Sequence, residues 1–103
     1  MPVPRKFEFS EEYNDATARF DRYLIEENDR GTKKYRQRIY RLPNGHEVSV
    51  VISAHSYGGD RGLYEAYDLH ASKGHRNPEG FLSPESVAHF LDRVSKRKAV
   101  QRR

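Results

Sequence analysis

Residues Tyr35 to Leu69 read YRQRIYRLPNGHEVSVVISAHSYGGDRGLYEAYDL, and the fold turns on how this stretch is parsed. Asn44-Gly45 separates two runs rich in β-branched and aromatic side chains, the strongest short-range signal for a hairpin. A second break, Ser56-Tyr57-Gly58-Gly59-Asp60-Arg61-Gly62, precedes a third run. The spacing predicts three antiparallel strands, Lys33 to Leu42, His46 to Ala54 and Leu63 to His70. The middle strand alternates cleanly, with Val48, Val50, Ile52 and Ala54 on one face and Val51 among Glu47, Ser49 and Ser53. In the first strand Tyr35, Gln37, Ile39 and Arg41 oppose Arg36, Arg38, Tyr40 and Leu42. In the third, Leu63, Glu65, Tyr67 and Leu69 oppose Tyr64, Ala66, Asp68 and His70. Neither of these two patterns separates inside from outside.

Working outward, Ser10 is a good N-cap and Glu11 and Glu12 put negative charge in a first helical turn. Tyr13, Ala16, Phe20, Tyr23, Leu24 and Glu27 keep helical spacing, so the predicted helix runs from Glu11 to Glu27. It stops near Asn28-Asp29-Arg30-Gly31. On the other side, Ala71 to Gly80 reads as a polar loop. Ser83-Pro84-Glu85 supplies an N-cap, a proline at the first helical position and an acidic first turn. Val87, Phe90, Leu91 and Val94 form an amphipathic stripe that should cover the Val48/Val50/Ile52 face, in a helix ending by Lys98. The expected fold is α+β, a three-stranded antiparallel meander flanked by an N-terminal and a C-terminal amphipathic helix. It forms one domain, with residues 1–9 and 99–103 as flexible tails.

Composition narrows the functions. With no cysteine among its 103 residues, the chain has no disulfide and no thiolate metal site. Met1 to Ser10 lacks the apolar centre of a secretory signal, and no run approaches the ~20 apolar residues of a membrane span. The cytoplasm is the expected location, with no membrane partner. Formal net charge is +4, and the excess is clustered at Lys33, Lys34, Arg36, Arg38 and Arg41 and again from Arg93 to Arg103.

Candidate chemistry is sparse. His46, His55, His70, His75 and His89 lack ligand spacing and read as surface histidines, so no metal and no cofactor is expected. His55, Ser56 and Asp60 are the residue types of a hydrolytic triad, but neighbours in one loop do not reach its geometry. Glycines of the Ser56–Gly62 loop read as positive-φ positions rather than a phosphate cradle, because the loop joins two strands. No catalytic residue is expected. Two binding readings remain. One is protein recognition through Arg36, Arg38, Tyr40, Tyr57, Asp60, Arg61 and Tyr64, residue types enriched in binding hot spots. The alternative is nucleic acid held by Lys33, Lys34, Arg36, Arg38, Arg97 and Lys98, with strand aromatics stacking bases. The chain is expected as a monomer or homodimer, the dimer by strand addition if the third strand is an open edge.

The stretch Leu42-Pro43-Asn44-Gly45-His46-Glu47-Val48-Ser49-Val50-Val51, then Ser56-Tyr57-Gly58-Gly59, Gly62-Leu63-Tyr64-Glu65 and Gly80-Phe81-Leu82-Ser83-Pro84-Glu85-Ser86-Val87, resembles small accessory proteins of tailed bacteriophages and prophages. The match covers about Tyr40 to Val94. The chain departs from that pattern in its basic first strand and basic tail, and in Asp68, where the pattern is apolar. The resemblance supplies no catalytic residues. It implies a non-enzymatic phage protein in the bacterial cytoplasm that binds and modulates or inhibits a host protein, in host takeover or anti-CRISPR-like defence evasion.

Overall fold

A computed structural model describes residues 7–71 and 77–100. Ser10 caps the first helix as its sequence position suggests, its Oγ accepting from the Tyr13 N–H at 3.1 Å. This helix, α1, covers only Glu11–Ala16, not the expected Glu11 to Glu27. Thr17 ends it, its hydroxyl donating to the Tyr13 carbonyl at 2.8 Å, a local bond that competes with helix propagation. The chain tightens into a 3-10 segment, Ala18–Tyr23, then extends as strand β1, Leu24–Asn28. Long-range partners override the helical stripe there. Glu27 and Asn28 pair with Arg38 and Gln37 of the next strand, and Glu27 accepts from Arg38 Nε at 2.8 Å.

The meander follows as β2 (Tyr35–Arg41), β3 (Glu47–Ser53) and β4 (Tyr64–Asp68). A further strand, β5 (Glu79–Leu82), begins inside the segment that reads as polar loop. Residues 72–76 of that segment lie outside the described residues. Helix α2, Pro84–Ser95, is the last element among the described residues, with the Ser83 side chain accepting from the Ser86 N–H. The fold is α+β as expected, but among the described residues its sheet has five antiparallel strands in the order β1-β2-β3-β4-β5 instead of three. Because β4 is paired on both sides, strand addition at the third predicted strand is excluded; the sheet edges are β1 and β5.

Register settles the two ambiguous strands. Tyr40 lies opposite Val48, and Ala66 opposite Val50, so the Tyr40/Leu42 and Tyr64/Ala66 faces turn inward with the valines. Val87, Phe90, Leu91 and Val94 of α2 join Tyr13 and Phe20 over this face to form one hydrophobic core. The tails are more engaged than expected. Phe7 is buried, Phe9 stacks on Tyr64 at 5.5 Å between ring centroids, and Val100 N–H donates to the Asn44 carbonyl at 2.9 Å. Residues 1–6 and 101–103 lie outside the described residues. Among the described residues, no helix is long and apolar enough to cross a membrane.

Candidate partner-binding site

The loop after β3 is built by short side chains folding back on the backbone. Ser53 Oγ accepts from the N–H groups of His55 and Ser56, while Ser56 Oγ accepts from Ser53 N–H at 2.8 Å and donates to its carbonyl at 3.1 Å. Both serine hydroxyls thereby hold the backbone of the turn. Gly59 then passes so close to Ser53 that a Cβ would stand 1.9 Å from its carbonyl oxygen. Gly58 and Gly62 flank the short turn at φ 90° and 73°, the positive-φ role read from the sequence.

This loop locks Tyr57 to both neighbouring strands. Its N–H donates to the Glu65 carboxylate at 2.9 Å, and its carbonyl accepts from Phe81 N–H of β5 at 3.1 Å. Gly80 runs directly against it, where a Cβ would fall 2.3 Å from that of Tyr57. With their backbones tied down, the Tyr57 and Phe81 side chains stand side by side in solvent, 63% and 55% exposed, with ring centroids 6.4 Å apart. The Arg61 guanidinium lies 6.0 Å from the Phe81 ring, and Asp60 is exposed beside it. Phe81 sits at φ 57°, a left-handed conformation that L-residues other than Gly, Asn and Asp rarely adopt. Beside this patch the uncovered sheet face forms a concavity of about 620 Å³ lined in part by Tyr35, Val51, Glu65 and Tyr67.

Of the residues expected to bind protein, the structure brings Tyr57, Asp60 and Arg61 together at this surface. It separates the others. Tyr40 and Tyr64, expected on a recognition face, are core side chains at 0% and 1% exposure. Their register with β3 puts them inward, and their hydroxyls are occupied. Tyr40 shares a 2.8 Å hydrogen bond with Tyr13, and Tyr64 accepts from Ser10 N–H at 3.1 Å. Arg36 and Arg38 point to the same inner side and are half-buried. Arg36 donates to the carbonyls of Thr32 and Tyr35. Arg38 bonds Glu27 and Asn14 and lies 4.3 Å above the Phe9 ring. Phe81 escaped the sequence reading because nothing local marks a phenylalanine between Gly80 and Leu82 as exposed.

The basic clusters do not merge either. Lys33 and Lys34 are exposed before the start of β2, whereas Arg97 and Lys98 sit at its far end, where Asn44 Nδ2 donates to the Arg97 carbonyl at 3.1 Å. A strand of this length separates the clusters by about 23 Å, and Arg97 is further engaged with Asp68 at 2.8 Å. His46, expected at the surface, is only 6% exposed. His70 contacts Glu47 at 2.9 Å, and His75 lies outside the described residues. Among the described residues, no three His, Asp or Glu side chains are placed to hold a metal ion.

Comparison with protein-family models, curated proteins and solved structures returns no match.

Proposed function

We propose that this protein is a non-enzymatic binding module that engages a protein partner through Tyr57, Phe81, Arg61 and Asp60. The observation that carries this reading is the exposed Tyr57–Phe81 pair on a backbone held by close-approach glycines, with Phe81 in a disfavoured conformation. Strained backbone and solvent-facing aromatics each oppose folding, and such strain clusters at recognition and catalytic sites. Tyr and Arg are also the side chains that dominate binding hot spots, most effectively on a rigid seat. In the setting implied by the sequence resemblance, the partner is a host protein of the bacterial cytoplasm, which the module modulates or blocks.

A tagged chain incubated with nuclease-treated bacterial lysate should retain one protein at high salt. Tyr57→Ser with Phe81→Ser should abolish that capture, and Lys33→Glu with Lys34→Glu should leave it intact. Recovery of nucleic acid that disappears with salt and with the lysine changes, but not with the aromatic ones, would replace this reading with nucleic-acid binding.

A further inference from the structure

We propose that His46 is a proton-gated latch holding the segment after α2, residues 96–100, against the β2–β3 turn. The basis is hydrogen-bond valence. His46 Nδ1 lies 2.8 Å from one Asp68 carboxylate oxygen and 3.1 Å from the other, and Nε2 lies 2.8 Å from the Lys98 carbonyl oxygen. Ionised carboxylates and backbone carbonyls only accept, and a neutral imidazole carries a single N–H. Both contacts are hydrogen bonds only when the ring holds two protons.

The surroundings decide which bond breaks when one proton leaves. Asp68 is buried on β4 and also receives Arg97 Nη1 at 2.8 Å and the His70 N–H at 2.9 Å. Burial pushes its carboxyl up, but His46, the His70 N–H and Arg97 outweigh that and hold it below the ordinary carboxylate range. Asp68 is thus an anion throughout neutral conditions and retains the proton on Nδ1. Nε2 is left with a lone pair facing the Lys98 carbonyl oxygen, and attraction becomes repulsion. Among the described residues, the other charged groups near the ring include Lys98, whose side chain is exposed, His70 at 6.4 Å edge-on, and Glu47, which bonds His70 and Arg41.

Arg97 and Asn44 make the rest of the attachment, Arg97 through its 2.8 Å contact with Asp68. Asn44 Nδ2 donates to the carbonyls of Val94 and Arg97, and the Asn44 carbonyl accepts from Val100 N–H at 2.9 Å. Loss of the His46 bond therefore removes the hold on Lys98, between the Arg97 and Val100 contacts, so raising the pH loosens the end of a basic strap that lower pH closes.

Hydrogen exchange at the Val100 amide, followed by NMR with the imidazole ¹⁵N signals across a pH series, tests the latch. After correction for intrinsic base catalysis, Val100 protection should fall about tenfold as the ring passes from two protonated nitrogens to one. The Val50 amide in the core strand should keep its protection. His70→Asn should preserve the transition, and His46→Gln should remove it. A singly protonated ring with undiminished Val100 protection would overturn the latch, as would a transition that persists in His46→Gln. Should His46→Gln not fold, the wild-type comparison of ring protonation with Val100 protection decides alone.

Discussion

Phe81→Gly should be more stable than Phe81→Ala, the reverse of the order at an ordinary strand position. Phe81 is more than half exposed, so truncating it forfeits only part of its burial, about 1 kcal/mol, and that loss is common to both variants. What differs is the backbone. In a regular strand, Ala is favoured over Gly by roughly 0.5–1 kcal/mol because glycine has more conformational freedom to lose. At φ 57° an L-residue instead carries about 1–2 kcal/mol of steric strain that glycine escapes. The balance favours Phe81→Gly by about 0.5–1 kcal/mol, equivalent to a Tm about 4 °C higher for a domain of this size. Neighbouring Gly58 already accommodates this backbone, since a Cβ there would stand 2.9 Å from Phe81 Cα. Thermal and urea unfolding of the two variants side by side gives the comparison, with partner capture lost in both. If Phe81→Ala equals or exceeds Phe81→Gly in stability, the backbone is not strained, and the argument that the aromatic seat is kept against folding preference fails.

Three further outcomes follow from the packing and the charges. Gly59→Ala, at ordinary φ but with its methyl driven onto the Ser53 carbonyl oxygen, should lose about 2–3 kcal/mol in chemical denaturation; wild-type stability would refute the close approach. Asp68→Asn should cost about 2–3 kcal/mol near neutrality, below the full range for a buried pair because Arg97 is partly exposed. Since the folded-state carboxyl of Asp68 lies below its ordinary value of 3.8, its stabilisation is present above about pH 4 and lost as pH falls further. The variant's acid limb should accordingly be flatter in pH-dependent unfolding. At the alkaline end, burial and then the mutual Tyr13–Tyr40 interaction push the Tyr13 phenol up, and burial also raises Tyr40. The folded state keeps protons that the unfolded chain releases above about pH 10, so stability should fall there. In a spectrophotometric titration these phenols should ionise only on unfolding.

Much of the fold is legible because its signals are local. Asn44-Gly45, the Val48/Val50/Ile52 alternation and the Ser83-Pro84-Glu85 cap each determine a structure within a few residues, and β3 and α2 lie where they indicate. The failures occur where distant pairing outweighs local preference. Tyr13 and Phe20 do reach the core, so the stripe that suggests one long helix is real burial. Its continuation through Leu24 is diverted by a strand whose partners, Gln37 to Tyr40, lie a full loop away. The inward face of β2 is hidden for the same reason: Arg38 looks like a surface residue until Glu27, Asn14 and the Phe9 ring, none of them adjacent in sequence, surround it.

The site shows the same division more sharply. Tyr57, Asp60 and Arg61 stand out in sequence because they interrupt a glycine-rich turn, but their aromatic neighbour enters through β5, a strand concealed in a polar segment. The two rings are exposed because of what lies beneath them: Gly58, Gly59 and Gly80 permit backbone approaches that no side chain would allow. Core aromatics depend on the reverse arrangement, in which side-chain burial dictates where the backbone runs. Exchange of Tyr57 for serine should therefore leave the fold intact, whereas a methyl at Gly59 or Gly80 should damage fold and recognition together. A surface that tolerates loss of its aromatics but not of its glycines has its rigidity in the backbone, and a rigid backbone lets an exposed aromatic pair meet a partner with little ordering cost.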